Sequence, residues 1–304
     1  MKYSFPQKVE FYITNVCNLT CDNCNRFNNH KFAGWQRWSD YEKVYQRWAD
    51  YIDLNAIVLM GGEPTLNPTC VEWVLGLQKI FDVDVQVLTN GTRLHQVPGL
   101  YEAMLVESPV RRKKNHIGIS LHNMNEFETI RSNVREFLQG NIQEWGTLLG
   151  IPAPAIAPPY PASYSAMDSN GVLINAWVDN TFDTAAVQVD TEGKFSLPGN
   201  TDPQKRHDMC NFVIHKGYHF IKGKLYKCGP VALLPEFDEQ FDLNLRPEDR
   251  AVLNGYVPLG MDNIDTYGQE FFENLDKMIP QCKFCAHEPQ GKTIWPLRKG
   301  SVKL

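Results

Sequence analysis

Apolar and polar residues follow a repeating order along the first half of the chain. Runs rich in Val, Ile, Leu and Phe stand at residues 8–14, 56–60, 83–88 and 116–122, with the length and β-branched content of strands. Between them, apolar residues recur every three or four positions, which predicts helices over about 41–51, 68–80, 98–107 and 125–139. Ser39 or Asp40 stands where a side chain can cap the first helix, and Asn67-Pro68 opens the second. Four strand–helix repeats predict an α/β fold, a parallel sheet with helices outside. Ligands in such folds bind at the carboxyl ends of the strands.

The second half is less regular. The prolines of 151–161 preclude a helix or a central strand there. Residues 171–179 read as a late strand whose side chains, Asn175, Trp177 and Asp179 among them, alternate between faces. Residues 219–227 read as a hairpin turning at Gly223, and a helix is expected over about 266–278.

Composition narrows the classes. The chain has 304 residues, enough for one large domain or two smaller ones. No run approaches the roughly 20 apolar residues of a membrane span, and Met1 to Pro6 holds no apolar signal region. A cytoplasmic protein without a membrane partner is expected. The net charge of −5 argues against a surface built for nucleic acid. Eight cysteines without an export signal point to metal ligation rather than disulfides.

Cys17, Cys21 and Cys24 form a C-x3-C-x2-C loop directly after the first predicted strand. Thiolates are the usual ligands of iron–sulfur clusters, and three of them leave one iron of a cubane without a protein ligand. A zinc knuckle or buried thiols are the plainer readings. Gly61-Gly62-Glu63-Pro64 ends the second strand, where glycines let a backbone approach a ligand closely, and Thr89-Asn90-Gly91 ends the third. Each would pass for a turn on its own. The aromatics Phe27, Phe32, Trp35 and Trp38 read as packing over the core rather than as a lid. Cys70 reads as a small buried residue. Arg111 to Lys114 reads as a solvated loop rather than a phosphate patch.

Together, the cysteine loop, the GGEP and the TNG, each after a strand and in this order, resemble the radical S-adenosylmethionine (SAM) superfamily. The resemblance implies a partial (β/α)6 TIM-like barrel. It implies that Cys17, Cys21 and Cys24 hold a [4Fe-4S] cluster whose open iron takes SAM. Gly61, Gly62 and Glu63 would hold the SAM amino group, Asn90 would reach the ribose or a substrate, and Ser120 would be the strand-four hydroxyl that contacts SAM. Reductive cleavage of SAM would give a 5′-deoxyadenosyl radical that abstracts hydrogen from a substrate carbon. Many members carry an aromatic residue immediately before the third cysteine. Here that residue is Asn23, so no adenine-stacking role passes to it, and Phe27 is the alternative shield.

Cys210, Cys228, Cys282 and Cys285 form a second set, C-x17-C and C-x2-C. From spacing alone, four such thiols suit zinc and a closed [4Fe-4S] cluster equally. Beside the first set they resemble the twitch domain, a shortened relative of the SPASM extension, with one auxiliary [4Fe-4S] cluster. On that division, residues 1–204 form the barrel and 205–304 a small α+β unit. A closed auxiliary cluster suits electron relay, so the implied reaction is net oxidation of a small polar metabolite. Asp179, His122 and Tyr164 are the candidates for the base. The resemblance also implies a reducing partner such as flavodoxin or ferredoxin. Modification of a peptide or RNA is the second reading, and a non-catalytic zinc-binding interaction module the third.

Overall fold

The structure is a computed structural model that describes residues 2–21, 24–122, 126–148, 151–152, 163–178, 187–197, 202–208, 210, 217–285 and 298–299. The predicted alternation is present. Strand β1 (Tyr3–Tyr12) is followed by α1 (Trp38–Tyr51), β2 (Ile52–Met60), α2 (Cys70–Phe81), β3 (Val85–Thr89), α3 (Leu100–Leu105), β4 (His116–Leu121) and α4 (Phe127–Phe137). Adjacent strands of this series pair in parallel.

After α4 the chain departs from simple repetition. β5 (Ile142–Leu148) lies beyond the next position in the sheet, and β6 (Ser163–Asp168) and β7 (Leu173–Val178) turn back to fill the gap, so β7 pairs parallel to β4 and antiparallel to β6. Later come α5 (Pro203–Asp208), β8 (His219–Ile221) and β9 (Lys224–Tyr226), then α6 (Gly229–Phe241), α7 (Pro247–Asn254) and α8 (Ile264–Asn274). The β8–β9 hairpin turns at Gly223, as expected, with φ of 73°. β8 pairs parallel to β1, Glu10 opposite His219. The main sheet therefore runs β9-β8-β1-β2-β3-β4-β7-β6-β5, with the two-residue strand Ile151–Pro152 at its edge.

Six neighbouring strands, β8-β1-β2-β3-β4-β7, are parallel, the α/β arrangement of a partial barrel. The sixth is supplied by the hairpin, which the division at residue 204 assigns to the C-terminal unit. The hairpin is tied down from the barrel side: the Trp48 indole donates to the Gly223 carbonyl at 2.9 Å, and the Gly223 N–H donates to the Tyr45 hydroxyl.

The two faces of the sheet differ, because neighbours along a strand point opposite ways. Val9, Phe11, Ile57, Leu59, Val85, Val87, Ile117, Ile119, Ile174 and Ala176 are buried against α1–α4. On the other face stand Lys8, Glu10, Gln86, Ser120 and Asn175, with Lys8 donating to Gln86 and Ser165 to Asn175. A second core of Tyr12, Phe27, Phe32, Ile221, Leu233, Leu234 and Phe237 fastens α6 over β1 and β8.

Several local expectations change. α1 begins at Trp38 after Arg37, with no side-chain cap, so neither Ser39 nor Asp40 caps it. Phe27, Phe32 and Trp38 are packed as expected, whereas Trp35 is 41% exposed. Cys70 is buried in the core. The basic run 111–114 is solvated but anchored: Arg111 bonds Asp53 and the Leu54 carbonyl, Arg112 pairs with Glu107, and Lys113 bonds Asn55. It lies at the amino end of the strands, away from the cysteine loop. Most of the proline-rich segment, 153–161, lies outside the described residues.

Gly76 is required where α2 crosses Trp38, since a Cβ there would lie 2.1 Å from the indole ring. Gly76→Ala should destabilise the fold by about 1–3 kcal/mol through overpacking, read as a lower urea midpoint. An unchanged midpoint would contradict the seating of Trp38.

Candidate active site

The cysteine loop leaves the carboxyl end of β1 and is held by the turn that ends β2. The Gly62 N–H donates to the Thr14 carbonyl at 2.7 Å, and the Glu63 N–H to the Val16 carbonyl at 2.8 Å. These bonds carry the β1–β2 pairing past both strand ends. A Cβ on Gly61 would lie 2.5 Å from the Thr14 carbonyl oxygen, and one on Gly62 would lie 2.4 Å from that of Val16 and 3.0 Å from the Cys17 Cβ. The glycine pair therefore serves contact with the cysteine loop itself, a use not evident from the motif alone.

Glu63 is fully buried. Its carboxylate accepts from the Thr65 N–H and hydroxyl, from the Thr89 hydroxyl at 2.6 Å and from the Asn90 N–H at 2.8 Å. Burial pushes its pKa up, and those donors work against the shift. With four donors on two oxygens, Glu63 holds the ends of β2 and β3 together. Asn90, nearly buried, donates to Asn18 at 2.8 Å and accepts from the Thr92 N–H and hydroxyl, while Asn18 donates to Thr92 at 2.7 Å. This network ties the turn after β3 to the interior of the cysteine loop.

Within the loop, the Leu19 N–H is directed at the Cys17 sulfur at 3.5 Å, and the Cys24 N–H donates to the Cys21 carbonyl. Burial, then the Glu63 charge, raises the Cys17 pKa. Asn28 spans from Cys24 to the Tyr12 hydroxyl and the Asn15 carbonyl. Asp22 and Asn23 lie outside the described residues. Phe27 is not placed as an adenine shield, because its ring is buried 5.4 Å from that of Phe237 in the second core.

Ser120 is half-buried on β4, facing the polar side of the sheet and opposite Trp177 in register. Gly118, two residues earlier, leaves room for Gln86 and Trp177, from which a Cβ would lie 2.4 and 2.9 Å away. His122 is half-buried just past the end of β4. Tyr164 is a correction: it points to the helix-covered face, where its hydroxyl donates to Glu144 at 2.9 Å. Glu144 is held to about pKa 2 against the cost of its burial by Arg135, Arg131 and Tyr164. Tyr164 is thus a structural residue. Asp179 lies outside the described residues.

The fold gathers the second cysteine set. Cys210, Cys228, Cys282 and Cys285 are electrostatic neighbours of one another. Cys228 sits at the start of α6, and Cys282 and Cys285 lie on the short turn after α8. Burial pushes Cys228 up to about 12 and raises Cys282 and Cys285. Among the described residues, no three His, Cys, Asp or Glu side chains are drawn tightly enough together to hold a single metal ion.

Sequence reasoning missed the group between the two sets. Arg26, two residues after Cys24 and nearly buried, pairs with Glu10 at 2.8 Å, and Glu10 also meets His219 of β8. His219 and Arg26 hold Glu10 below the usual carboxylate range although burial opposes them, and burial keeps His219 low. Gly229, next to Cys228, packs on this group: a Cβ there would lie 2.2 Å from Arg26 Nη1 and 3.1 Å from His219 Nε2. The one signal was Glu10 itself, a lone acid in the apolar run of β1.

A cysteine loop seated by a glycine turn at the carboxyl ends of parallel strands defines the class. Residues 11–145 match the family model of the radical SAM superfamily, and this part of the chain is a radical SAM domain. The chain is 32% identical over 124 residues to a probable GTP 3′,8-cyclase of Methanothermobacter thermautotrophicus, a match covering 41% of this chain and 37% of that protein. It is 33% identical over 82 residues to a Saccharolobus islandicus protein of the same name, covering 27% of this chain and 26% of the relative. The matches thus span only about a third and a quarter of these relatives' length, 37% and 26%. Two solved structures of anSMEcpe overlap slightly. The form with bound AdoMet has TM-score 0.32 and 18% identity, and the form with AdoMet and Cp18Cys peptide has TM-score 0.33 and 20% identity. Each likeness covers 44% of this chain and 40% of the solved one. Overlap this small bears on neither fold nor function. No helix among the described residues is long and apolar enough to cross a membrane.

Gly62→Ala should unseat the cysteine loop and lower bound iron by about four atoms per chain, one cubane. Full iron content in this variant would contradict the glycine seat.

Proposed function

We propose that this chain is a radical SAM enzyme with an auxiliary iron–sulfur centre that carries out net oxidation of a small polar metabolite. The observation that carries the reading is the loop of Cys17, Cys21 and Cys24, seated by Gly61 and Gly62 within the radical SAM domain. The donor set fits a cluster: three thiols on one loop, with a backbone N–H aimed at the Cys17 sulfur, the kind of hydrogen bond that tunes cluster potentials. Cys210, Cys228, Cys282 and Cys285 would hold the second [4Fe-4S] cluster. The cluster and SAM, when bound, supply a 5′-deoxyadenosyl radical that removes a hydrogen atom from carbon.

The remaining work falls to the chain. Gly61, Gly62, Asn90 and Ser120 border the SAM side, with Glu63 fixing the turn that presents them. The polar inner face, with Ser120 and Asn175, orients a hydrophilic substrate. Oxidation of an alcohol also needs a base for the hydroxyl proton, and His122 and Asp179 remain the candidates. A reducing partner such as flavodoxin or ferredoxin would supply the electron. The C-terminal unit would bear the auxiliary centre while lending its hairpin to the barrel sheet.

A second reading, cyclisation of GTP, follows from the names of the relatives that match part of the chain. Incubation of the reconstituted protein with SAM, dithionite and GTP separates the two. Consumption of GTP supports the cyclase reading, and SAM cleavage without GTP consumption supports another small substrate. Replacing Cys17, Cys21 and Cys24 with Ala should abolish formation of 5′-deoxyadenosine, whereas Cys282→Ala with Cys285→Ala should spare it. Cleavage retained without the first three cysteines would overturn the proposal.

A further inference from the structure

Lys227 stands one residue before Cys228, at the end of the β8–β9 hairpin. It is only 5% exposed, and its Nζ has no hydrogen-bond partner among the described residues. The position is built rather than incidental: the Lys227 N–H donates to the Tyr256 hydroxyl at 3.0 Å, and the Tyr256 ring stacks on that of Tyr226. Burial lowers the Lys227 pKa, and the groups that work against that shift by favouring the ammonium are Cys282, Cys228 and Cys210, then Asp276. Burying a cation without a counter-ion is strongly unfavourable. Arg26, also buried, shows the usual solution, since it pairs with Glu10. Lys227 has no such carboxylate at hydrogen-bond distance among the described residues; it borders a cavity lined by Tyr256, Leu259 and Ile279, and the leading groups that favour its charge are the thiols Cys282, Cys228 and Cys210.

We propose that Lys227 is the built-in counter-cation of an anionic metal centre held by Cys210, Cys228, Cys282 and Cys285, and that it sets that centre's reduction potential. The inference rests on reading the second set as an iron–sulfur site. A cubane with four thiolates is a dianion and gains one more negative charge on one-electron reduction. A fixed cation beside it stabilises the reduced form more than the oxidised form, so the potential rises. Net charge and burial are among the levers that set cluster potentials. The effect is little screened by salt because the ammonium is buried. Cys228 is also the capping residue at the start of α6, whose positive end favours negative charge at that sulfur.

The test uses the full-length chain with Cys17, Cys21 and Cys24 replaced by Ala, so that only the second cluster titrates. Its midpoint is read by electron paramagnetic resonance during reductive titration, with iron counted in each sample. Lys227→Met should lower the reduced-to-oxidised ratio at a fixed potential about tenfold, a shift of about 59 mV for one electron. Lys227→Arg should stay close to the parent. A Lys227→Met protein with full iron and an unchanged midpoint would overturn the role of Lys227 while leaving the cluster in place. If Lys227→Met fails to load iron, Lys227→Arg decides: iron retained near the parent midpoint supports the proposal, and iron lost overturns it. A parent chain that binds no iron at this set overturns the cluster reading and the Lys227 proposal with it.

Discussion

The candidate site depends on one close approach, that of the Gly61-Gly62 backbone to Thr14–Val16. Two N–H donors and two absent side chains bring the end of β2 against the start of the cysteine loop. Everything nearby is arranged from that contact. Glu63 follows the glycines and joins β2 to β3, Asn90 follows β3 and reaches Asn18 inside the loop, and the Leu19 N–H turns back on Cys17. The buried carboxylate and its four donors act as a cross-brace. Removing the carboxylate would take the shared acceptor from all four donors, a cost of about 1–3 kcal/mol for each group left unsatisfied in the interior.

Electrostatics divides the protein into two comparable centres. Each cysteine set has a nearly buried cation beside it, Arg26 after Cys24 and Lys227 before Cys228. Arg26 is matched by Glu10, and its side chain lies against the Gly229 backbone, which adjoins the second set. Lys227 is matched by no carboxylate at bonding distance among the described residues.

Much of the first half was legible because each strand is apolar on the helix side and each helix shows a clear apolar stripe. Val9, Phe11, Ile57 and Leu59 could be assigned from alternation alone. The cysteine loop and the glycine turn were equally plain, since chemistry and spacing coincide there. What sequence could not show was long-range. The pairing of His219 with Glu10 joins residues far apart in the chain, and nothing local marks it. Pro235 inside α6 speaks against the helix that is nonetheless formed, since packing of Leu233, Leu234 and Phe237 in the second core outweighs the lost backbone bond. Tyr164 was misplaced because β6 is an antiparallel strand whose facing depends on its hairpin with β7, and alternation alone leaves the choice of face open.

The most direct test of the account is the iron and acid-labile sulfide content of the full chain after anaerobic reconstitution. Two cubanes predict about eight irons and eight sulfides per chain. Zinc without sulfide at either cysteine set would contradict the cluster assignment there, and zinc at both would leave the fold described here without the chemistry assigned to it.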